Sequence, residues 1–163
     1  MQYGPSTKMT IEIRKAAPEE AATLTQISHA AKRHWGYPEH WIQHWSADLT
    51  ITPEFITRNE VHVATNRERI LGFYALVIAH GQAELEHMWV RPEHIGAGIG
   101  KELFVHAMQR AASLSVAAVG ITADPNAEGF YQQLGATRVG TAESEIDGKP
   151  RLLPRLKIDP NLS

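Results

Sequence analysis

Three glycines stand at alternate positions, Gly96, Gly98 and Gly100, in the stretch "VRPEHIGAGIGKEL" that runs from Val90 to Leu103. Glycine lets backbone N–H groups approach a ligand closely, and the helical pattern after it offers the free donors of a helix start. That combination suits an anion such as a phosphate; the plainer alternative is a tight turn needing glycine for positive φ. Just upstream, Glu84 and Glu86 are two residues apart. On a regular strand they share one face with Met88 and Val90, where paired acids raise one another's pKa and attract a cationic amine. A third cluster is "KRHWGYPEHWIQHW", with Trp35, Trp41, Trp45, Tyr37, His34, His40 and His44. Aromatic faces near carboxylates suit an ammonium. Trp41 and Trp45 also fit one packing stripe of a helix. His40 and His44 have the spacing of a zinc pair, but no third ligand or catalytic glutamate accompanies them.

Two familiar phosphate loops fail on the glycine turn. A P-loop needs G-x-x-x-x-G-K-[ST]; here Ile95 occupies the first glycine's place and Glu102 replaces the hydroxyl. A dinucleotide fold needs G-x-G-x-x-G and an acid about 20 residues on. The spacing here is G-x-G-x-G, and "SLSVAAVGI" supplies no acid.

The elements that must position these groups are set by periodicity. "TIEIRKA" alternates as a strand, and "PEEAATLTQISHAAKRHW" repeats Leu24, Ile27, Ala31 and Trp35 at helical spacing. "PEHWIQHWSADL" reads as one short helix and "TPEFITRN" as a capped turn. Next come the strands "EVHVATN", "RILGFYALVIAHG" and "AELEHMWV", then a helix from Gly98 to about Leu114. "VAAVGITA" reads as a strand covered on both faces. "DPNAEGFYQQLGA" is a helix with Asp124 as N-cap, Pro125 first and Gly135 as terminator. Two strands, "ATRVGTAESEI" and "RLLPRLKID", close the chain, and Pro154 places the last at an edge or bulge. A single mixed α/β (α+β) domain over 10–159 results, with residues 1–9 expected as a disordered leader and 160–163 as a tail.

With 163 residues, 43% hydrophobic, and a net charge of −2, the chain makes no electrostatic case for nucleic acid or a membrane surface. The absence of cysteine excludes disulfides, thiolate metal sites and a cysteine nucleophile. No apolar run is long enough to span a bilayer, and a cytoplasmic location is expected.

The two glycine-bearing segments also carry a family resemblance. "VRPEHIGAGIGKELF" resembles the acetyl-CoA motif of the GNAT superfamily of N-acetyltransferases, and "DPNAEGFYQQLGA" resembles its second motif, both in the family's order. The resemblance implies a mostly antiparallel sheet of six or seven strands, flanked by about four helices, with a splayed central strand pair. It implies acetyl-CoA as co-substrate, with no metal. The pantetheine arm would run along Met88, Trp89 and Val90, and the pyrophosphate would rest on Ile95, Gly96, Ala97, Gly98, Ile99, Gly100 and Lys101. Asn126, Phe130 and Tyr131 complete that site. Ile95 departs from the family's usual Gln or Arg, which removes a side-chain donor. Tyr131 matches the family's tyrosine acid, and Glu84, six residues before Val90, its base; Glu86, His87 or a water chain are the alternatives. Trp35, Tyr37, Phe73 and Glu86 are expected to wall the acceptor. The implied reaction is direct acetyl transfer to a small primary amine. A protein lysine or N-terminal acetyltransferase and a non-catalytic CoA-binding sensor are the rivals, and a homodimer through the terminal strand is open.

Overall fold

The structure is a computed structural model that describes residues 10–161. The leader expected at residues 1–9 and the last two residues of the tail lie outside the described residues.

After β1 (Glu12–Lys15), the helix α1 (Ala21–His34) buries Leu24, Ile27 and Ala31, the stripe its spacing predicts. Side chains of α1 tie down the segment around residues 49–51. Ser28 Oγ donates to the Leu49 carbonyl at 2.5 Å, and Thr25 Oγ1 accepts from Ile51 N at 2.9 Å. The single helix expected over "PEHWIQHWSADL" is two, α2 (Glu39–His44) and α3 (Ser46–Leu49), divided at Trp45. Next comes α4 (Pro53–Arg58), where Thr52 Oγ1 accepts from Phe55 N at 3.0 Å, a cap worth about 1 kcal/mol. The sheet is then built from β2 (Glu60–Asn66), β3 (Arg69–Ala79), β4 (Gln82–Val90), β5 (Ala118–Thr122), β6 (Thr137–Ile146) and β7 (Lys149–Ile158). Helices α5 (Ile99–Ser113) and α6 (Glu128–Gln133) complete the fold.

The strands form one sheet in the order β1-β2-β3-β4-β5-β7-β6, antiparallel except where β4 meets β5. Its two faces have separate cores. Leu103, Phe104, Ala107 and Ala111 of α5 pack with Leu71, Leu76, Val119 and Ile121, and on the other face Leu24 and Ile27 pack with Val61, Val63 and Phe73. Each such large side chain contributes about 1.5–3 kcal/mol by leaving water.

The feature that makes room for a site is the β4–β5 junction. The strands pair only at Gln82↔Ala118, Ala83↔Val119 and Glu84↔Gly120, and from Leu85 to Val90 β4 pairs with β3 alone. A bulge accompanies the parting: Leu85 faces Leu76 and His87 faces Ala75, leaving Glu86 as the extra residue. Bulges sharpen strand twist and re-aim side chains. This one corrects the shared face expected for Glu84, Glu86, Met88 and Val90. Ala83, Leu85, Met88 and Val90 all join the α5-side core, so the alternation slips by one residue at Glu86 and Glu84 belongs to the opposite face.

The last strand also departs from expectation. β7 lies inside the sheet and β6 is the edge. Pro154 is tolerated there because the β5 ladder ends at Thr122↔Arg155; one residue further, the Pro154 carbonyl accepts from Ala123 N at 3.0 Å.

Candidate active site

At the open end of the β4–β5 seam lies a cleft of about 440 Å³. Met88, Trp89 and Val90 form one wall, the glycine turn the floor, and Asn126, Ala127, Phe130 and Tyr131 the other wall. The glycines serve different ends. Gly98, the N-cap of α5, has φ +84°, a left-handed conformation that L side chains rarely adopt. Gly100 is not in that region; a Cβ there would lie 3.3 Å from the Phe130 ring, so its role is close packing at the floor. No side chain caps α5, and the N–H groups of Ile99, Gly100 and Lys101 have no acceptor within the helix. Among the residues expected to hold a cofactor, Ile95, Gly96, Gly98, Gly100 and Lys101 line the cleft. Ala97 donates its N–H to the His94 carbonyl at 3.2 Å, and the Ile99 side chain is buried in the core.

Around this row of donors the cleft is apolar. Trp35, Ile95 and Phe130 are all exposed large hydrophobics, and all three line it. An exposed apolar rim beside a turn with free backbone N–H groups has the make-up that suits a ligand part hydrocarbon and part phosphate. Ala31 and His94 also line the cleft, and no local sequence signal marks them for that role.

Tyr131 sits on α6 at the cleft's inner wall, its ring 5.9 Å from Phe104 and 5.2 Å from Phe130. Burial, with a smaller contribution from Asp124, pushes its phenol well above the usual tyrosine range. The hydroxyl keeps its proton at neutral pH and has no hydrogen-bond partner among the described residues.

A second cavity, also of about 440 Å³, adjoins the preceding segment of β4 and is lined by Asp48, Thr50, Phe55, Glu84, Glu86, His87 and Thr122. Its groups are not equivalent. Glu84 is held by both terminal nitrogens of Arg155 at 2.5 Å, with Gly120 beneath, where any Cβ would collide with Glu84 Oε2. His87 Nδ1 accepts from the Trp89 indole N–H at 3.0 Å, and burial lowers the imidazole to about 4, so it is neutral with its proton on Nε2. Glu86, the bulge residue, is exposed and makes no ion pair among the described residues. Partial burial of its carboxyl, and then the nearby Glu84, raise it above the usual range.

The residues expected to wall an acceptor are dispersed. Trp35 lines the first cavity and Glu86 the second. Tyr37 lies behind them, hydrogen-bonded to Asp124 at 2.9 and 3.0 Å and pushed up to about 12, by burial first and then Asp124. Phe73 is fully buried, its ring 6.0 Å from His87, and reaches neither cavity. It packs instead into the core beneath α1. His40 and Trp41 both reach Asp147, at 3.2 and 2.6 Å, pinning the β6–β7 turn to α2. Among the described residues no three acids or histidines converge as a metal site, and no helix is long and apolar enough to cross a membrane.

Known proteins resemble this chain in both sequence pattern and fold. The model of the family described as acetyltransferase (GNAT) domain matches residues 18–150. No curated protein matches significantly. Among solved structures, the PaiA N-acetyltransferase of Thermoplasma acidophilum, in complex with coenzyme A, is similar at 22% identity and TM-score 0.74, covering 93% of this chain and 99% of its own. The ribosomal-protein-S18-alanine N-acetyltransferase of Escherichia coli is similar at 15% identity and TM-score 0.70, covering 94% and 96%. YncA of Salmonella typhimurium, solved with its cofactor acetyl-CoA, is similar at 17% identity and TM-score 0.67, covering 94% and 95%. The matched span contains the glycine turn, the parted strands and the Tyr131 helix together, and this chain belongs to the GNAT acetyltransferase family.

Proposed function

We propose that the protein transfers the acetyl group of acetyl-CoA to the primary amine of a small molecule, directly within a ternary complex. The observation that carries this reading is the adjacency of two unlike cavities along β4. An apolar cleft ending in free amides adjoins Met88–Val90, and an acid-lined pocket adjoins Glu84–His87. The first suits a thioester on a long arm with a pyrophosphate; the second suits an ammonium.

In the transfer step the amine nitrogen bonds to the acetyl carbonyl carbon as the carbon–sulfur bond breaks. The leaving thiolate receives the Tyr131 proton, and the amine gives its proton to a base. Glu86 is better placed for that last role than Glu84, whose carboxylate is already engaged on both oxygens by Arg155. His87 is unsuited, because its accepting nitrogen is occupied by Trp89. Without a cysteine in the chain, no thiol-bound acyl-enzyme intervenes.

Thiol release from acetyl-CoA across an amine panel tests the reading. Release should require an amine. Tyr131→Phe should lower kcat by about 10²- to 10⁴-fold while leaving acetyl-CoA affinity nearly unchanged. Cofactor binding without release for every amine would favour a sensor; release confined to peptides would favour a protein acetyltransferase.

A further inference from the structure

One cluster of charged residues has no part in the transfer step itself. Lys32 at the end of α1, Tyr37, Trp45, Asp124 after β5, and Arg151 on β7 meet beside Asn126, which itself lines the cleft. Lys32 Nζ lies 2.7 Å from Asp124 Oδ2, and Arg151 lies 3.9 Å from the same oxygen while donating to the Tyr37 hydroxyl at 2.9 Å. Both cations also rest on aromatic rings: Lys32 is 4.2 Å from the Trp45 centroid, and Arg151 5.1 Å from it.

The charges do not cancel. Two cations share one carboxylate, so the cluster holds a net charge of +1, with side-chain exposures of 11% for Lys32, 9% for Asp124 and 16% for Arg151. An excess charge held so far from water is costly until a counter-anion arrives. The hydroxyl of Tyr37 is the one hydrogen-bond acceptor that Arg151 reaches among the described residues, which leaves most of its planar fork of donors open. That fork matches a carboxylate in two-point geometry. Arg151 lines neither cavity itself, but it stands one residue behind the cleft wall: the Tyr37 hydroxyl it bonds also accepts from Asn126 Nδ2 at 3.1 Å, and strand alternation puts it on the β7 face that carries Arg155.

We infer that the acceptor is an amine that also carries a carboxylate, a compound of the amino-acid class, its ammonium in the acid-lined pocket and its carboxylate on Arg151. This rests on the acetyl-transfer reading and adds the acceptor's class to it. Arg151 then selects the substrate, and Lys32 contributes charge from behind.

Matched pairs of amines, alike except for the carboxylate, test this with the wild type, Arg151→Gln and Arg151→Lys. The wild type should favour the carboxylated member by about 10- to 100-fold in kcat/KM. Arg151→Gln should abolish that preference through KM, Arg151→Lys should restore part of it, and the amine lacking a carboxylate should be turned over similarly by all three. Equal use of both members by the wild type, which needs no variant to be folded, overturns the inference. So does an equal loss on both members in Arg151→Gln. A preference for succinyl-CoA over acetyl-CoA that Arg151→Gln removes would place the carboxylate on the acyl donor, and also overturns it. Thiol release without any carboxylate preference refutes this inference alone, whereas no release with any amine refutes acetyl transfer and the inference together.

Discussion

Asp124→Asn should be among the most destabilising near-isosteric changes available to this protein. The Asp124 carboxylate accepts from Lys32 Nζ at 2.7 Å, from the Tyr37 hydroxyl at 2.9 Å, and from Asn126 N at 2.9 Å. Burial alone would raise its pKa, but the Lys32 ammonium and these donors outweigh that and hold it below the ordinary range. The amide keeps the shape and removes the charge, leaving Lys32 and Arg151 side by side with no anion. Breaking a buried pair from one side costs about 3–5 kcal/mol. For a domain of this size that is roughly a 10 °C fall in Tm. Lys32→Met should cost less, about 1–2 kcal/mol, because Asp124 keeps Tyr37, Asn126 and Arg151. The double variant should be more stable than Asp124→Asn alone, since the stranded ammonium is then gone. Urea unfolding of the four proteins gives the coupling directly. If Asp124→Asn costs no more than Lys32→Met, or the two costs simply add, the charge count of this cluster is wrong.

Gly98→Ala places a side chain at φ +84°, so a loss of about 1 kcal/mol in thermal unfolding is expected, together with a smaller stabilising shift from acetyl-CoA. Ile95→Arg puts a charged donor at the exposed rim of the cleft and should tighten coenzyme A binding by about 5- to 10-fold in calorimetry; unchanged affinity would count against placing the pyrophosphate there. Hydrogen bonds to the Glu60 carboxyl, from the Arg110 guanidinium first and then from His62, hold it down at about 2. A depressed carboxyl stabilises the fold above the unfolded value of about 4.3 and loses that contribution as pH falls toward 2. The pair is partly solvated, so about 1 kcal/mol is expected. Urea midpoints should show the wild type ahead of Glu60→Gln at pH 7 and the gap closing below pH 4.

Local chemistry was the legible part of this protein. Alternation and helical spacing located the strands and the long helices, and the glycines and Asp124-Pro125 marked the two turns that border the cleft, because each rule acts within a few residues. The turn after Asp124 starts as a short 3-10 segment (Pro125–Ala127) before α6, a refinement that spacing does not encode. At Glu86 the sequence itself carries a signal: apolar Ala83 and Leu85 at odd positions give way to apolar Met88 and Val90 at even ones, the mark of an inserted residue, and all four join the α5-side core. Arg155 and Arg151 were out of reach. Their partners Glu84 and Tyr37 lie 71 and 114 residues away, and no periodicity spans such a distance. Pro154 misled because its missing donor matters only while a ladder continues beside it.

The short seam between β4 and β5 has a mechanical consequence. With strand pairing only across residues 82–84 and 118–120, extended by one backbone bond from Ala117 N to the Gly81 carbonyl, the strands form two panels, β1 to β4 and β5 to β6, riveted at one end by Arg155 on Glu84. At the other end Lys32 reaches from α1 to Asp124 and acts as a clasp. Side-chain bonds therefore tie the panels at both ends of the gap, and neither Lys32 nor Arg155 is part of the wall of the cleft that opens between them.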